Sequence, residues 1–95
     1  MNVTVRFSGP LRALAGHRSL SLSLDQGATL RDLLSALHDT VSLPFVEQIL
    51  TPLETSDSPY ALVLLNRVHL RAPSELERTL SEGDVIAFVP PMAGG

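Results

Sequence analysis

Residues 29–41 read TLRDLLSALHDTV, and the spacing of their apolar residues decides how the rest of the chain must fold. Apolar residues recur at intervals of three and four, which places them on one face of an α-helix. The helix is predicted over residues 30–40, with Thr29 as its N-cap and Asp32 near the positive end of its dipole. Its apolar stripe consists of Leu30, Leu33, Leu34, Leu37 and Val41. A stripe of this kind needs an apolar surface to cover it.

Strands on either side of this helix can supply that surface. Residues 2–8 and 18–24 alternate between apolar and polar side chains, which is typical of half-buried strands. The connection between them is too short for a crossover, so we expect an antiparallel hairpin. Residues 60–65 and 68–70 are predicted to pair around a tight turn at Asn66-Arg67.

The remaining segments complete the order of elements. Residues 42–59 are less regular, with a short helical piece expected within 45–50 and a loop after it. Residues 73–80 are expected to hold one helical turn, because Ser74 and Glu77 resemble a capping box. Residues 85–89 are predicted to form the last strand, which Pro90-Pro91 ends.

These elements predict an α+β fold in one domain. A mixed sheet of four to five strands with one main helix packed on one face satisfies every pattern. The first and last strands are expected to pair in parallel near the middle of the sheet, because a long crossover separates them.

Composition limits the possible functions. The formal charge of −3 disfavours nucleic acid as a partner. The chain has no cysteine, which excludes thiolate zinc sites and cysteine nucleophiles, and all seven basic residues are arginine. No apolar run approaches the roughly 18 residues that span a bilayer. The alternating N-terminus does not resemble a signal peptide, so we expect a cytoplasmic location and no membrane partner.

Catalytic patterns are not found within the chain. His17, His38 and His69 lack metal-ligand spacing, so no metal site is predicted. The acidic residues are dispersed, as expected of a solvated surface. Arg6, Arg67 and Arg71 are either solvated or paired with acidic groups on a partner.

The C-terminal segment has a distinct pattern. Pro90-Pro91 is followed by Met92, Ala93, Gly94 and Gly95. The prolines stiffen the exit from the strand, and glycine lets protein walls close directly on the backbone. Fully extended, residues 90–95 reach roughly 20 Å. The pattern therefore indicates a flexible tail that carries a carboxylate into a narrow site on another protein.

In three motifs the chain resembles the MoaD/ThiS family of ubiquitin-like sulfur carriers. The motifs are Gly83-Asp84-x-Ile86-Ala87-Phe88-x-Pro90-Pro91-x-x-Gly94-Gly95, Val3-x-Val5-x-Phe7 and Leu11-x-x-Leu14-Ala15-Gly16. The ending is most similar to the small subunit of molybdopterin synthase. The resemblance implies a β-grasp domain over residues 1–95, with residues 90–95 as its flexible Gly-Gly tail.

The resemblance also implies a reaction and its partners. An adenylating enzyme of the ubiquitin-activating type uses ATP to join the Gly95 carboxylate to AMP. A sulfur donor, a sulfurtransferase or cysteine desulfurase, then leaves a thiocarboxylate on Gly95. The large subunit of molybdopterin synthase holds the molecule that accepts the sulfur. The chain itself is a carrier without catalysis of its own, and it binds no cofactor.

Roles within the site remain open at this stage. Residues 90–93 either contact the channel of the large subunit or act as a spacer. Phe7 and Phe88 are either core or docking residues, with the core favoured. Other sulfur-carrier pathways (thiamine, cysteine or thiolated tRNA synthesis), a ubiquitin-like protein modifier and a plain interaction module are the alternative functions.

Overall fold

The computed structural model describes residues 1–55, 61–71 and 73–91. Its strands lie close to the predicted ones, although the first strand is one residue shorter than predicted and the second is two residues shorter. The five strands are β1 (Asn2–Phe7), β2 (Ser19–Ser23), β3 (Leu62–Leu65), β4 (Val68–Leu70) and β5 (Val85–Val89).

One mixed sheet contains all five strands, in the order β2-β1-β5-β3-β4. The first strand, β1, pairs in parallel with β5, with Val5 opposite Ile86. The β1–β2, β3–β5 and β3–β4 pairs are antiparallel. The predicted parallel pairing of the first and last strands is therefore confirmed, and β5 lies at the centre of the sheet.

The main helix, α2, spans Leu30–His38 and covers one face of the sheet. The Thr29 hydroxyl accepts a hydrogen bond from the backbone of Asp32, and the Asp32 carboxylate accepts one from the backbone of Thr29. This capping box confirms the predicted N-cap. The four leucines of the stripe within α2 are completely buried, which shows that the stripe faces the core: Leu30, Leu33, Leu34 and Leu37.

Further helices lie where the sequence suggested loops. A short helix, α1 (Pro10–Ala15), fills the connection between β1 and β2. Helix α3 (Leu43–Phe45), a π-helical turn (Val46–Leu50) and helix α4 (Thr51–Thr55) follow one another without a break. The helical piece expected within 45–50 is therefore part of a longer helical segment. The predicted strand residue Tyr60 lies outside the described residues.

The predicted capping box at Ser74 and Glu77 is wrong. The Ser74 hydroxyl donates to the Arg71 carbonyl at 3.3 Å, and the Glu77 carboxylate lies 2.6 Å from Arg31 Nε on α2. Residues 73–77 form turns in place of a helix. Ser74 therefore bonds three residues back along the chain, and only Glu77 has a distant partner.

Candidate functional site

The last described residues of the chain leave the sheet at one fixed point. The Ser8 backbone N–H donates to the Phe88 carbonyl at 3.0 Å, which ties the end of β5 to the end of β1. Pro90 is half-buried against Gly9, and a Cβ built on Gly9 would lie 3.6 Å from the Pro90 ring. Pro91 is exposed. The chain is therefore held at Pro90 and points into solvent at Pro91.

The four residues expected to do the chemistry lie beyond that point. Met92, Ala93, Gly94 and Gly95 are outside the described residues, so their roles stay predictions. Pro90 packs on the folded body, which gives it at least a structural role. Whether Pro90 and Pro91 also contact a partner channel stays a prediction.

Phe7 and Phe88 are core residues, and the docking role considered for them is wrong. Their side chains are 1% and 0% exposed, because both point towards the helix layer. Their rings stack with centroids 5.7 Å apart, and each meets Phe45 edge-on at 5.3–5.4 Å. No partner can reach these rings without opening the core.

The opposite face of the sheet is open and contains an apolar strip next to the tail exit. Strand registers place Leu62 opposite Val89 and Leu64 opposite Ala87, and all four are half-buried. The strip, named here the docking face, consists of Leu62, Leu64, Val85, Ala87 and Val89. The strand pairing identifies the members of this strip, which sequence alone does not reveal.

Two arginines flank the docking face. A shallow cavity of about 410 Å³ is lined by Arg6, Leu64, Asn66, Arg67, Val85 and Ala87. The side chains of Arg6 and Arg67 are exposed and make no hydrogen bond or ion pair with residues 1–55, 61–71 or 73–91. The face therefore presents apolar surface with cations at its border, a composition suited to a partner protein.

The turn at one end of the docking face has an unusual backbone. Asn66 and Arg67 both have positive φ, at 48° and 73°. Asn66 is secured there, because its side-chain amide donates to Asp84 at 2.9 Å and its side-chain carbonyl accepts from the Val85 N–H at 2.9 Å. Arg67 has no such bond among the described residues. The tight turn was predicted, but the backbone strain at Arg67 was not.

Ordinary catalytic or metal-binding arrangements are not found in the part of the chain that the structure describes. His17 Nε2 lies 3.2 Å from the Thr40 carbonyl, and His38 Nε2 lies 2.9 Å from the Glu54 carboxylate. No group of three or more acidic or histidine residues among residues 1–55, 61–71 and 73–91 can hold a metal ion. The pKa of Arg31 is raised by its hydrogen bond to Glu77, on the helix side of the fold.

A family model settles the relationship that this geometry suggests. The model of the ThiS family matches residues 5–95, from β1 through the Gly-Gly at 94–95. The chain belongs to the ThiS family. This is a family of ubiquitin-like sulfur carriers and modifiers.

Solved structures place the ThiS-family chain among β-grasp proteins. A putative molybdopterin converting factor subunit 1 from Pyrococcus furiosus has a TM-score of 0.76 at 24% identity, covering 97% of this chain and 99% of that one. The small archaeal modifier protein 1 from Methanosarcina acetivorans has a TM-score of 0.70 at 28% identity, covering 99% and 96%. The predicted β-grasp fold is thereby confirmed.

A third neighbour shows a protein of this shape with a partner. It is subunit 1 in the complex of subunits 1 and 2 of the molybdopterin-converting factor from Helicobacter pylori, with a TM-score of 0.66, 24% identity and full coverage of both chains. No curated protein sequence matches this chain significantly. None of the helices in residues 1–55, 61–71 and 73–91 is long and apolar enough to cross a bilayer.

Proposed function

We propose that this ThiS-family chain is a sulfur carrier whose working group is the carboxylate of Gly95. The observation that carries the proposal is the family match, which extends over residues 90–95 as well as the folded body. The fixed exit at Pro90 supports it, because a tail that leaves the body at one point can be inserted while the body docks.

The chemistry belongs to a chain of partner proteins. A resting carboxylate is a poor electrophile, so an adenylating enzyme first joins Gly95 to the α-phosphate of ATP and releases pyrophosphate. A donor that supplies sulfur at the oxidation level of sulfide then attacks the acyl carbon, and AMP leaves. The product is a thiocarboxylate, whose sulfur is a softer and stronger nucleophile than the oxygen it replaces.

The folded body contributes binding energy. Ordering the tail costs roughly 1–2 kcal/mol of backbone entropy for each residue fixed. Burial of the docking face against the partner offsets that cost, because Leu62, Leu64 and Val89 lie beside the exit and expose apolar surface. Docking and tail insertion are therefore coupled in this mechanism.

Our preferred sulfur acceptor is the pterin precursor of the molybdenum cofactor, with this chain as the small subunit of molybdopterin synthase. The Pro90-Pro91-x-x-Gly94-Gly95 ending supports this acceptor, as do two structural neighbours described as molybdopterin-converting factor subunits. The large subunit would then cover the docking face and receive the tail.

A protein modifier is the second candidate. A neighbour at 28% identity is described as a small archaeal modifier protein. In this function the activated Gly95 would form an isopeptide bond with a lysine of a target protein. The chain has no lysine of its own and so offers no side-chain amine to its own activated tail.

Intact-protein mass spectrometry tests the carrier function. The purified chain is incubated with an adenylating enzyme, ATP and a sulfur donor, and the expected result is a mass gain equal to the difference between sulfur and oxygen. A variant lacking Gly94 and Gly95 should gain nothing, while Asp25→Asn, remote from the exit, should react like wild type. Failure of wild type with several such enzymes would refute the proposal.

The acceptor is tested by two further measurements. The thiocarboxylate form is mixed with the large subunit of molybdopterin synthase and its pterin substrate, and dithiolene product is expected. Denaturing immunoblots of cells that express the chain distinguish the modifier function. A ladder of conjugates that needs Gly95, without dithiolene product, would favour the modifier.

A further inference from the structure

A cleft next to the tail exit concentrates positive charge. It measures about 390 Å³ and lies between the end of β1, the start of β2 and helix α1. No carboxylate lines it, although the whole chain carries a charge of −3. Three of the seven arginines are in its wall, which is formed by Arg6, Phe7, Ser8, Arg12, Arg18 and Ser19.

Each of the three guanidinium groups has N–H donors that no described residue occupies, so each can bind a ligand. Arg12 Nε donates to the Phe7 carbonyl at 3.1 Å, which holds that side chain at the cleft. Within the described ranges, the side chains of Arg6 and Arg18 make no hydrogen bond or ion pair, and all three residues are exposed. Guanidinium groups bind planar oxyanions through paired N–H donors, so carboxylate and phosphate are the chemistries that fit.

The position of the cleft connects it with the tail. Phe7 pairs with Phe88 across the β1–β5 ladder, and Gly9 lies against Pro90 where the chain leaves the body. Arg6 borders both this cleft and the cavity over the docking face. A protein that covers the docking face and receives the tail therefore approaches the arginines as well.

Negative charge lies at the other end of the same sheet. Glu82 accepts from the Asn2 N–H at 3.0 Å, and the Asp84 carbonyl accepts from the Thr4 N–H at 2.9 Å. Asp25 directly follows Leu24, whose N–H donates to the Met1 carbonyl. These three carboxylates lie where β1 begins, together with the Met1 ammonium, which donates to the Leu24 carbonyl, and with Arg67, which follows Asn66 in the turn bonded to Asp84. The arginine cleft lies where β1 ends, and no carboxylate in its wall balances its positive charge. Such an asymmetry orients an approaching partner.

We propose that Arg6, Arg12 and Arg18 bind an acidic surface of the adenylating enzyme, beside the channel that receives the tail. This inference rests on the proposed function. The phosphates of the nucleotide do not fit the cleft, because they react at Gly95, roughly 20 Å from Pro90 along an extended tail. Carboxylates of Asp and Glu side chains at the channel entrance are within reach when the body docks.

Charge reversal in the cleft tests the inference with the full chain and the adenylating enzyme. ATP–pyrophosphate exchange gives KM and kcat for wild type, Arg18→Glu and the double variant R12E/R18E. We expect the double variant to raise KM by about tenfold and Arg18→Glu to raise it less, since rim charges act mainly on encounter. The kcat at saturation should stay within about twofold, because the tail is unchanged.

Arg78→Glu is the matched control. Arg78 is exposed and lies on the helix side of the fold, where its backbone carbonyl accepts from the Leu30 N–H at the start of α2. Its guanidinium lies 4.0 Å from the Glu75 carboxylate, and an exposed pair of this kind contributes little to stability. The substitution changes the net charge as much as Arg18→Glu does, and we expect less than about twofold change in KM. An effect of Arg78→Glu equal to that of Arg18→Glu would overturn the inference in favour of non-specific charge.

The remaining outcomes are also decisive. An unchanged KM in Arg18→Glu and R12E/R18E overturns the inference. If inorganic phosphate binds the arginines in NMR titrations while both variants keep the wild-type KM, the cleft is an anion site of another kind. Arg18→Glu loses no hydrogen bond, so its result holds even if Arg12→Glu disturbs folding. Wild-type protein that is never adenylated overturns the proposed function, and this inference with it.

Discussion

The side chains of the central strand β5 alternate between the two faces of the sheet, and the two faces differ in how deeply they are buried. Ile86 and Phe88 are completely buried under the helices, whereas Val85, Ala87 and Val89 are half-buried and face outwards. One face therefore stabilises the fold. The other presents apolar surface beside the tail exit without being needed for the core. Substitutions on the two faces should separate stability from partner binding.

The largest effect is expected on the covered face. Phe88→Ala should lower the free energy of unfolding by about 3–5 kcal/mol, because it removes a ring that contacts Phe7 and Phe45 and leaves a cavity. Urea unfolding followed by far-UV circular dichroism measures the change. Val89→Ala, the neighbour on the open face, is the control and should cost less than about 1 kcal/mol. Similar losses for both would refute the division between faces.

The next effect is expected on the open face. Leu64→Asp should weaken binding of the adenylating enzyme by about 2 kcal/mol, because it places a charge in the centre of the docking face. Calorimetric titration measures the affinity, and the unfolding free energy should change by less than about 1 kcal/mol. Ser21→Asp, on the same face of the serine-rich strand β2, should bind normally. Normal binding by Leu64→Asp would show that this face is not the interface.

Sequence patterns predicted the covered face better than the connections. The leucines of α2 and the strand alternation repeat over enough residues to fix the period and thus the face. Helix α1 has only six residues and is stabilised by burial of Leu11 and Ala15, which a local pattern does not reveal. The segment after Phe45 contains Pro52, which suggested a loop. In the structure Pro52 is instead the second residue of helix α4, which follows the π-helical turn.

Sequence patterns also located the candidate site only in part. The tail was recognisable because proline ends a strand and glycine frees the backbone, and both effects act at the residue itself. The arginine cleft was not, because Arg6, Arg12 and Arg18 belong to three different segments that only the β1–β2 pairing and α1 bring together. Contacts between distant segments depend on register, which a single sequence does not state directly.

A smaller effect is expected at the start of the covering helix. Thr29→Ala should lower the unfolding free energy by about 1 kcal/mol, because it removes the side-chain acceptor of the capping box at Asp32. Thermal unfolding at constant pH checks the loss. Ser35→Ala changes an exposed residue within α2 and should be neutral or slightly stabilising. Partner affinity should stay unchanged in both variants, since α2 and the docking face lie on opposite sides of the sheet.

The smallest effect is expected at the turn beside the open face, and it has the opposite sign. Arg67→Gly should raise the unfolding free energy by about 0.5–1 kcal/mol, since glycine adopts the φ of 73° without a Cβ clash and the gain exceeds its added unfolded-state entropy. Urea unfolding measures the gain. Asn66→Gly is the opposing control. It should destabilise, because it removes the side-chain bonds to Asp84 and Val85.

If Arg67→Gly stabilises the fold and also weakens partner binding, the strained arginine is retained at a cost in stability because it borders the docking face. A variant that gains stability and binds normally would limit the interface to the apolar strip and the arginine cleft.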